Sequence, residues 1–186
     1  LTGGSTMLNT RTIRVFVIAV LTAGFVLPVG DAIASSPARG GGVMASFEGA
    51  WINLADGWGE ATACTSDGLT TQCYRTEQEM DATTPVRGFS MPIVPLASCA
   101  SSLRLYRSTS YGGAVLQLTT RSVYINLSSY SFDNDTSSYK VGACDSYFYD
   151  GASGGTPLYT GTTTANSSAT SMLTGWDNRV SSVYIA

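Results

Sequence analysis

The sequence predicts an all-β protein: a β-sandwich of two related halves, preceded by a small disulfide-stapled β-hairpin segment and a short helix. Three observations lead there. From Cys99 to Ala186 the runs LRLYR, AVLQLTT, SVYINL, SSYKV, SYFYD, PLYTG and SSVYI alternate apolar and polar residues, the period of strands with one buried face. Clusters of Gly, Asp, Asn and Ser separate them, and seven or eight such strands suit two packed sheets. Long helical periods are absent from this region. Finally, SFDNDTSSYKV at 131–141 returns as GWDNRVSSVYI at 175–185, with Asp133 and Asp177 44 residues apart. A solenoid needs at least three copies to bury its core, whereas two suit a closed pseudo-twofold domain with halves at about 99–142 and 143–186.

The elements before that domain follow in order. Residues 1–34 read as a secretory signal: Arg11 and Arg14 precede the apolar run Val15–Val29, and Ala32-Ile33-Ala34 offers a small-x-small cleavage site. Met7 is the expected start, with 1–6 an upstream extension. Pro28 and Asp31 end the run before the roughly 20 apolar residues of a membrane span. Residues 35–46, SSPARGGGVMAS, read as a flexible glycine-rich arm. In 47–81, AWINL is a short strand, and ATAC and TQCYR are hairpin strands about Asp67-Gly68. A capping box, Thr76-x-x-Glu79, starts a short helix. This segment is too small for its own core and must be stapled, docked on the following domain or held by a partner. Residues 82–98, with Pro85, Pro92 and Pro95, are a linker or surface strap and mark the domain boundary.

Charge and cysteines restrict the function. The chain has 10 basic and 13 acidic residues; without 1–34 it keeps 8 and 12, a net charge of −4. Phosphate-backbone binding relies on clustered Lys and Arg, so no nucleic-acid partner is expected, nor a membrane after signal cleavage. Four cysteines in an exported chain favour two disulfides. Three connectivities are open, and the hairpin signal favours Cys64–Cys73 with Cys99–Cys144. CxxC spacing and histidine are both missing, which argues against zinc. With no histidine at all, Ser-His-Asp and Cys-His catalysis are excluded, and the carboxylates sit in turn contexts. The chain reads as non-enzymatic.

Tyr106-x4-Tyr111-x-Gly113 and DNDTSS at 133–138 resemble two signatures of βγ-crystallin Greek keys, the aromatic hairpin and the calcium motif N/D-N/D-x-x-S/T-S. In the second half Phe148 and Gly155 align with Tyr106 and Gly113, Ser153 replaces the second aromatic, and DNRVSS at 177–182 keeps the calcium motif. The resemblance covers 99–186 and implies two Greek-key motifs forming a βγ-crystallin-like sandwich. Together with the secretion signal, INLADGWG and RTEQEMD, the chain is similar to small secreted actinobacterial proteins grouped with the microbial peptidase inhibitors of βγ-crystallin fold.

That family implies three roles. One is calcium binding, in one site by Asp133, Asn134, Asp135 and Ser137 and in another by Asp177, Asn178, Arg179 and Ser181. The Arg179 side chain cannot coordinate, so the first site should bind better. The same side chains also serve as plain turn caps. Another role is peptidase inhibition through the Cys64–Cys73 loop or the loop around Gly151–Gly155. The role preferred here is that of an adaptor or structural component, secreted and extracellular, binding another secreted protein through Arg39, Met44, Phe47 and Trp51.

Overall fold

The computed structural model describes residues 41–83 and 102–186. The signal segment, Arg39, Cys99 and most of the proline-rich segment lie outside the described residues. Eleven strands are described: β1 Met44–Phe47, β2 Ala50–Asn53, β3 Ala63–Ser66, β4 Thr71–Tyr74, β5 Leu103–Ser108, β6 Gly112–Leu118, β7 Tyr124–Asn126, β8 Ser138–Lys140, β9 Ser146–Tyr149, β10 Ser168–Ala169 and β11 Ser182–Ile185. One α-helix, α1 Glu77–Thr83, is described beside them. Thr76 Oγ1 accepts the Glu79 N–H at 3.1 Å, as the capping signal predicts. Glu79 reaches back to the Arg75 N–H rather than to that of Thr76.

The strands form one sheet in the order β10-β8-β5-β6-β3-β4-β1-β2 and a second in the order β7-β11-β9. The two halves exchange strands. β7 of the first half pairs with β11 of the second, and β10 of the second pairs with β8 of the first. Strand exchange makes the two motifs one domain, since neither half completes its sheet alone.

Between the sheets, alternate residues build the core: Leu103, Leu105, Leu116 and Leu118 from one side, Ile125, Phe148, Val183 and Ile185 from the other. The segment before the linker contributes Trp58, Cys64 and Cys73 to this same core. It docks as sheet. β3 runs parallel to β6, with Cys64 opposite Leu116, and β4, β1 and β2 follow outward. Met44, Ala45 and Ser46, the end of the predicted arm, are the first residues of β1. Ala82 and Thr83, the start of the predicted linker, close α1.

α1 covers part of the outer face of the large sheet, around Ala63, Tyr106 and Val115. Met80, wholly buried, packs with Ala63, Tyr106 and Val115. Arg104 pairs with Glu77 and Asp81 of the helix, and Tyr106 Oη donates to Glu77 at 2.7 Å. Burial pushes the Tyr106 phenol above its ordinary range, with the Glu77 carboxylate adding to the effect.

Candidate functional site

Each Asp-Asn motif begins with an aromatic residue, Phe132 or Trp176, and turns through an asparagine in the left-handed region, Asn134 at φ 54° and Asn178 at φ 55°. Asparagine tolerates that conformation where most residues do not. The two loops clasp each other. The Asn134 N–H donates to Val180 O at 3.0 Å and the Asn178 N–H to Thr136 O at 3.1 Å. Ser137 Oγ donates to Asn178 Oδ1 and Ser181 Oγ to Asn134 Oδ1, both at 3.2 Å. The sequence places Asn134 with Ser137 and Asn178 with Ser181; the fold joins each asparagine side chain to the serine of the opposite half. The physical reason is the strand exchange, which brings the loops face to face.

The second serine of each motif has another task. Ser138 Oγ donates to Ser108 O at 2.6 Å and accepts the Tyr111 N–H at 3.1 Å, pinning the β5–β6 hairpin. Gly113, at φ 72°, leaves no room for a Cβ against Ser108. In the second half Ser182 Oγ donates to Gly151 O at 2.6 Å and accepts the Gly154 N–H at 3.0 Å. Ser138 stands opposite Tyr106, and Ser182 opposite Tyr149. Tyr149, not Phe148, is therefore the counterpart of Tyr106, a register one residue away from the sequence alignment. The missing second ring is supplied from the other half: Tyr124 lies 5.7 Å from Tyr149, as Tyr111 lies 5.5 Å from Tyr106. A Cβ on Gly154 would meet the Tyr124 ring at 2.4 Å.

With this register the charges around the clasp form a reversed pair. In the first half Arg107 Nε lies 2.8 Å from Asp135 Oδ2. In the second half the counterpart of Arg107 is Asp150 and that of Asp135 is Arg179, and these two pair with the signs exchanged. Each guanidinium also stacks on the motif's aromatic residue. Arg107 sits 5.1 Å from both Trp58 and Phe132, and Arg179 sits 5.3 Å from Trp176 and donates to Gly175 O. Burial holds the Asp135 carboxyl above its ordinary range, and the attraction of Arg107 does not offset it. The Arg107 Nε contact lacks the alignment of a directed hydrogen bond.

Calcium needs six to eight oxygens and a surplus of negative charge. The clasp supplies oxygens: the Asn134 and Asn178 carboxamides, the Ser137 and Ser181 hydroxyls, the exposed Asp133 and Asp177 carboxylates, and Thr136 Oγ1, buried without a hydrogen-bond partner among the described residues. The donor types fit a hard cation. The charge is already supplied in part, because Asp135 and Asp150 are held by arginines. Among the described residues no three His, Cys, Asp or Glu side chains gather as a metal cluster.

Of the predicted contact residues, Trp51 is 71% exposed, whereas Phe47 packs partly on the core and Met44 is half-buried. Cys64 and Cys73 are joined and lie directly opposite across β3 and β4. Cys144 is disulfide-bonded, and Cys99, its expected partner, lies outside the described residues. The loop between Cys64 and Cys73 is fixed by Asp67, whose carboxylate accepts the Thr70 and Leu69 N–H groups and is held below its ordinary range by them. Leu69 stands at its tip, 94% exposed.

No family model and no curated protein sequence matches the chain. Solved βγ-crystallin structures are similar to it. The βγ-crystallin of Ciona intestinalis is 20% identical, with 46% of this chain and 99% of that one covered and a TM-score of 0.39. A βγ-crystallin domain from Flavobacterium johnsoniae is 22% identical, with 45% and 92% covered and a TM-score of 0.38. An archaeal βγ-crystallin is 20% identical, with 47% and 99% covered and a TM-score of 0.36. The chain's own strand exchange and paired serine-pinned hairpins make its fold an all-β, βγ-crystallin-like sandwich of two Greek keys, widened by a disulfide-stapled hairpin and a short helix.

Proposed function

We propose that the chain is a secreted, non-catalytic protein-binding module, an adaptor or structural component of an extracellular assembly, which captures another secreted protein along β2. The observation that carries this reading is Trp51. Among the described residues β2 is the last strand of the large sheet, with β1 beside it, and it holds a large aromatic side chain 71% exposed at that edge. An open edge offers backbone hydrogen bonds to an added strand, and an exposed Trp is the residue type that anchors interfaces.

A second reading, inhibition of a secreted peptidase, draws on Leu69: a nearly fully exposed apolar side chain on a loop held by a disulfide and by Asp67 is preorganised for a cleft. One experiment separates the two. The full secreted chain and a Trp51→Ser variant are used as baits in culture supernatant, and both are assayed against the secreted peptidases present. Stoichiometric capture that the variant loses by about tenfold or more supports the adaptor. Capture unchanged by the substitution overturns it, and peptidase inhibition by both proteins moves the assignment to the Leu69 loop.

Calcium enters this proposal as a ligand opposed by the resident guanidinium groups, which neutralise Asp135 and Asp150 beside the clasp. When bound it would tie the two loops through Asn134, Ser181, Asn178, Ser137 and the flanking Asp133 and Asp177. The wild-type melting temperature is expected to be the same in calcium and in chelator. Arg107→Gln/Arg179→Gln loses about 1–2 kcal/mol of cation–π and ion-pair stabilisation. It should regain about 1.4–2.7 kcal/mol in 10 mM calcium, as for an extracellular-type site. A calcium-induced rise in the melting temperature of the wild type, as large as in the variant, contradicts that opposition.

A further inference from the structure

The two sheets carry equivalent rows of side chains on their outer faces, and the rows differ in chemistry. In the large sheet the row crossing β10, β8 and β5 is Ser168–Lys140–Arg104. In the small sheet the matching row, crossing β7, β11 and β9, is Tyr124–Tyr184–Tyr147. The first row serves the chain itself: Arg104 binds α1 through Glu77 and Asp81, and Lys140 lies over the rings of Tyr106 and Tyr111. On the small sheet, among the described residues, no helix covers the corresponding face. Three tyrosines stand where the large sheet carries Ser168, Lys140 and the helix-binding Arg104, and Tyr149 adds a fourth ring behind them.

These rings form a continuous ladder. Tyr124 and Tyr184 lie 5.2 Å apart, Tyr184 and Tyr147 6.3 Å, and Tyr124 and Tyr149 5.7 Å. Tyr124 is 51% exposed and Tyr147 39%. Their neighbours in the strands, Ile125, Val183 and Phe148, point into the core, so the ladder is fixed to the outer face by the two-residue period. Asn126 stands beside it, braced by the Ser153 N–H at 2.6 Å. An open groove of about 320 Å³ borders Tyr124, lined by Thr120, Asn126 and Ser129 and by the apolar Val43, Val123 and Ile125.

We infer that this face is a binding platform for a linear, uncharged polysaccharide. Pyranose rings present C–H faces that stack on aromatic rings and an equatorial rim of hydroxyls that bond to phenols, carboxamides and serines. A straight row of three rings suits a ligand built of repeating flat units. None of Tyr124, Asn126, Tyr147, Tyr149 and Tyr184 is a charged residue type, and the chain is net acidic at −3. A single-stranded nucleic acid would need cationic residues beside the stacking rings, and an anionic polymer would be repelled. Tyrosines held rigidly by their neighbours lose little freedom on binding.

The platform is tested by electrophoresis of the full chain through native gels containing hydroxyethylcellulose, and by sedimentation with insoluble chitin. Retention is expected on at least one polymer. Tyr124→Ala/Tyr147→Ala is expected to weaken it at least about tenfold, and so is Tyr147→Arg, which installs on an exposed site the side-chain type that the other sheet carries there. Tyr124→Phe/Tyr147→Phe should retain most of it. Thermal melts accompany each variant, and Tyr147→Arg keeps the test valid if the double alanine variant does not fold. Absence of retention on both polymers overturns the proposal, and so does undiminished retention of a folded Tyr147→Arg.

Discussion

Replacing Trp58 by alanine is expected to cost about 3–5 kcal/mol, the range for removing a large aromatic side chain from a core. Trp58 is 5% exposed, its ring lies 5.6 Å from Phe132, and its Nε1 donates to Tyr130 O at 2.7 Å. It also forms one side of the stack that holds Arg107, whose other side is Phe132. The substitution therefore opens a cavity, strands the Tyr130 carbonyl and loosens the Arg107–Asp135 pair beside the clasp. Thermal unfolding followed by circular dichroism should show a midpoint lower by roughly 6–20 °C for a domain of this size. Trp58→Phe should fall between, since it refills most of the cavity and leaves the carbonyl without its donor, a cost of about 1–3 kcal/mol. A loss under about 1 kcal/mol for the alanine variant would show that the segment before the linker is not part of the common core.

That segment also shows where local pattern stops being informative. AWINL, TQCYR and the Thr76 cap were readable because turn chemistry and two-residue alternation act within a few residues. The parallel pairing of β3 with β6 joins Cys64 to Leu116, and no local signal specifies a contact at that separation. The segment's size nevertheless required a partner surface, and the exposed edge of β6 is that surface. The paired Asp-Asn motifs were legible as a repeat, whereas the exchange of Asn134 and Asn178 between them was not, because it follows from strand swapping. The reversed ion pair was hidden by one residue. The glycine-rich stretch Gly151–Gly155 absorbs a one-residue shift without an apolar position to reveal it, so Arg107 and Asp150 became counterparts only through the Ser138 and Ser182 hydrogen bonds. The tyrosines of β7, β9 and β11 were visible as strand residues, and nothing in their alternation distinguishes a ladder left bare from one covered by a helix.

Removing the Cys64–Cys73 bond is expected to cost about 2.5–3 kcal/mol, the loop-closure value for a separation of 9 residues. The paired substitution Cys64→Ala/Cys73→Ala is the cleaner test, because serines would bury two hydroxyls at positions 0% and 2% exposed. The effect should not stay in the hairpin. β3 is the strand through which β4, β1 and β2 attach to β6, so loosening it frees the whole outer half of the large sheet. Hydrogen exchange should accordingly accelerate in β1, β2 and β4 while β9 and β11 keep their protection. The Asp67 carboxylate fastens the far end of the same loop, and its pKa is depressed in the fold. Its contribution is present at neutral pH and is lost as pH falls through the depressed folded value, so the alanine pair should melt more readily still in acid. If exchange instead rises evenly across both sheets, the hairpin and the sandwich unfold as one cooperative unit, and the edge strand carrying Trp51 is as firmly held as the core behind it.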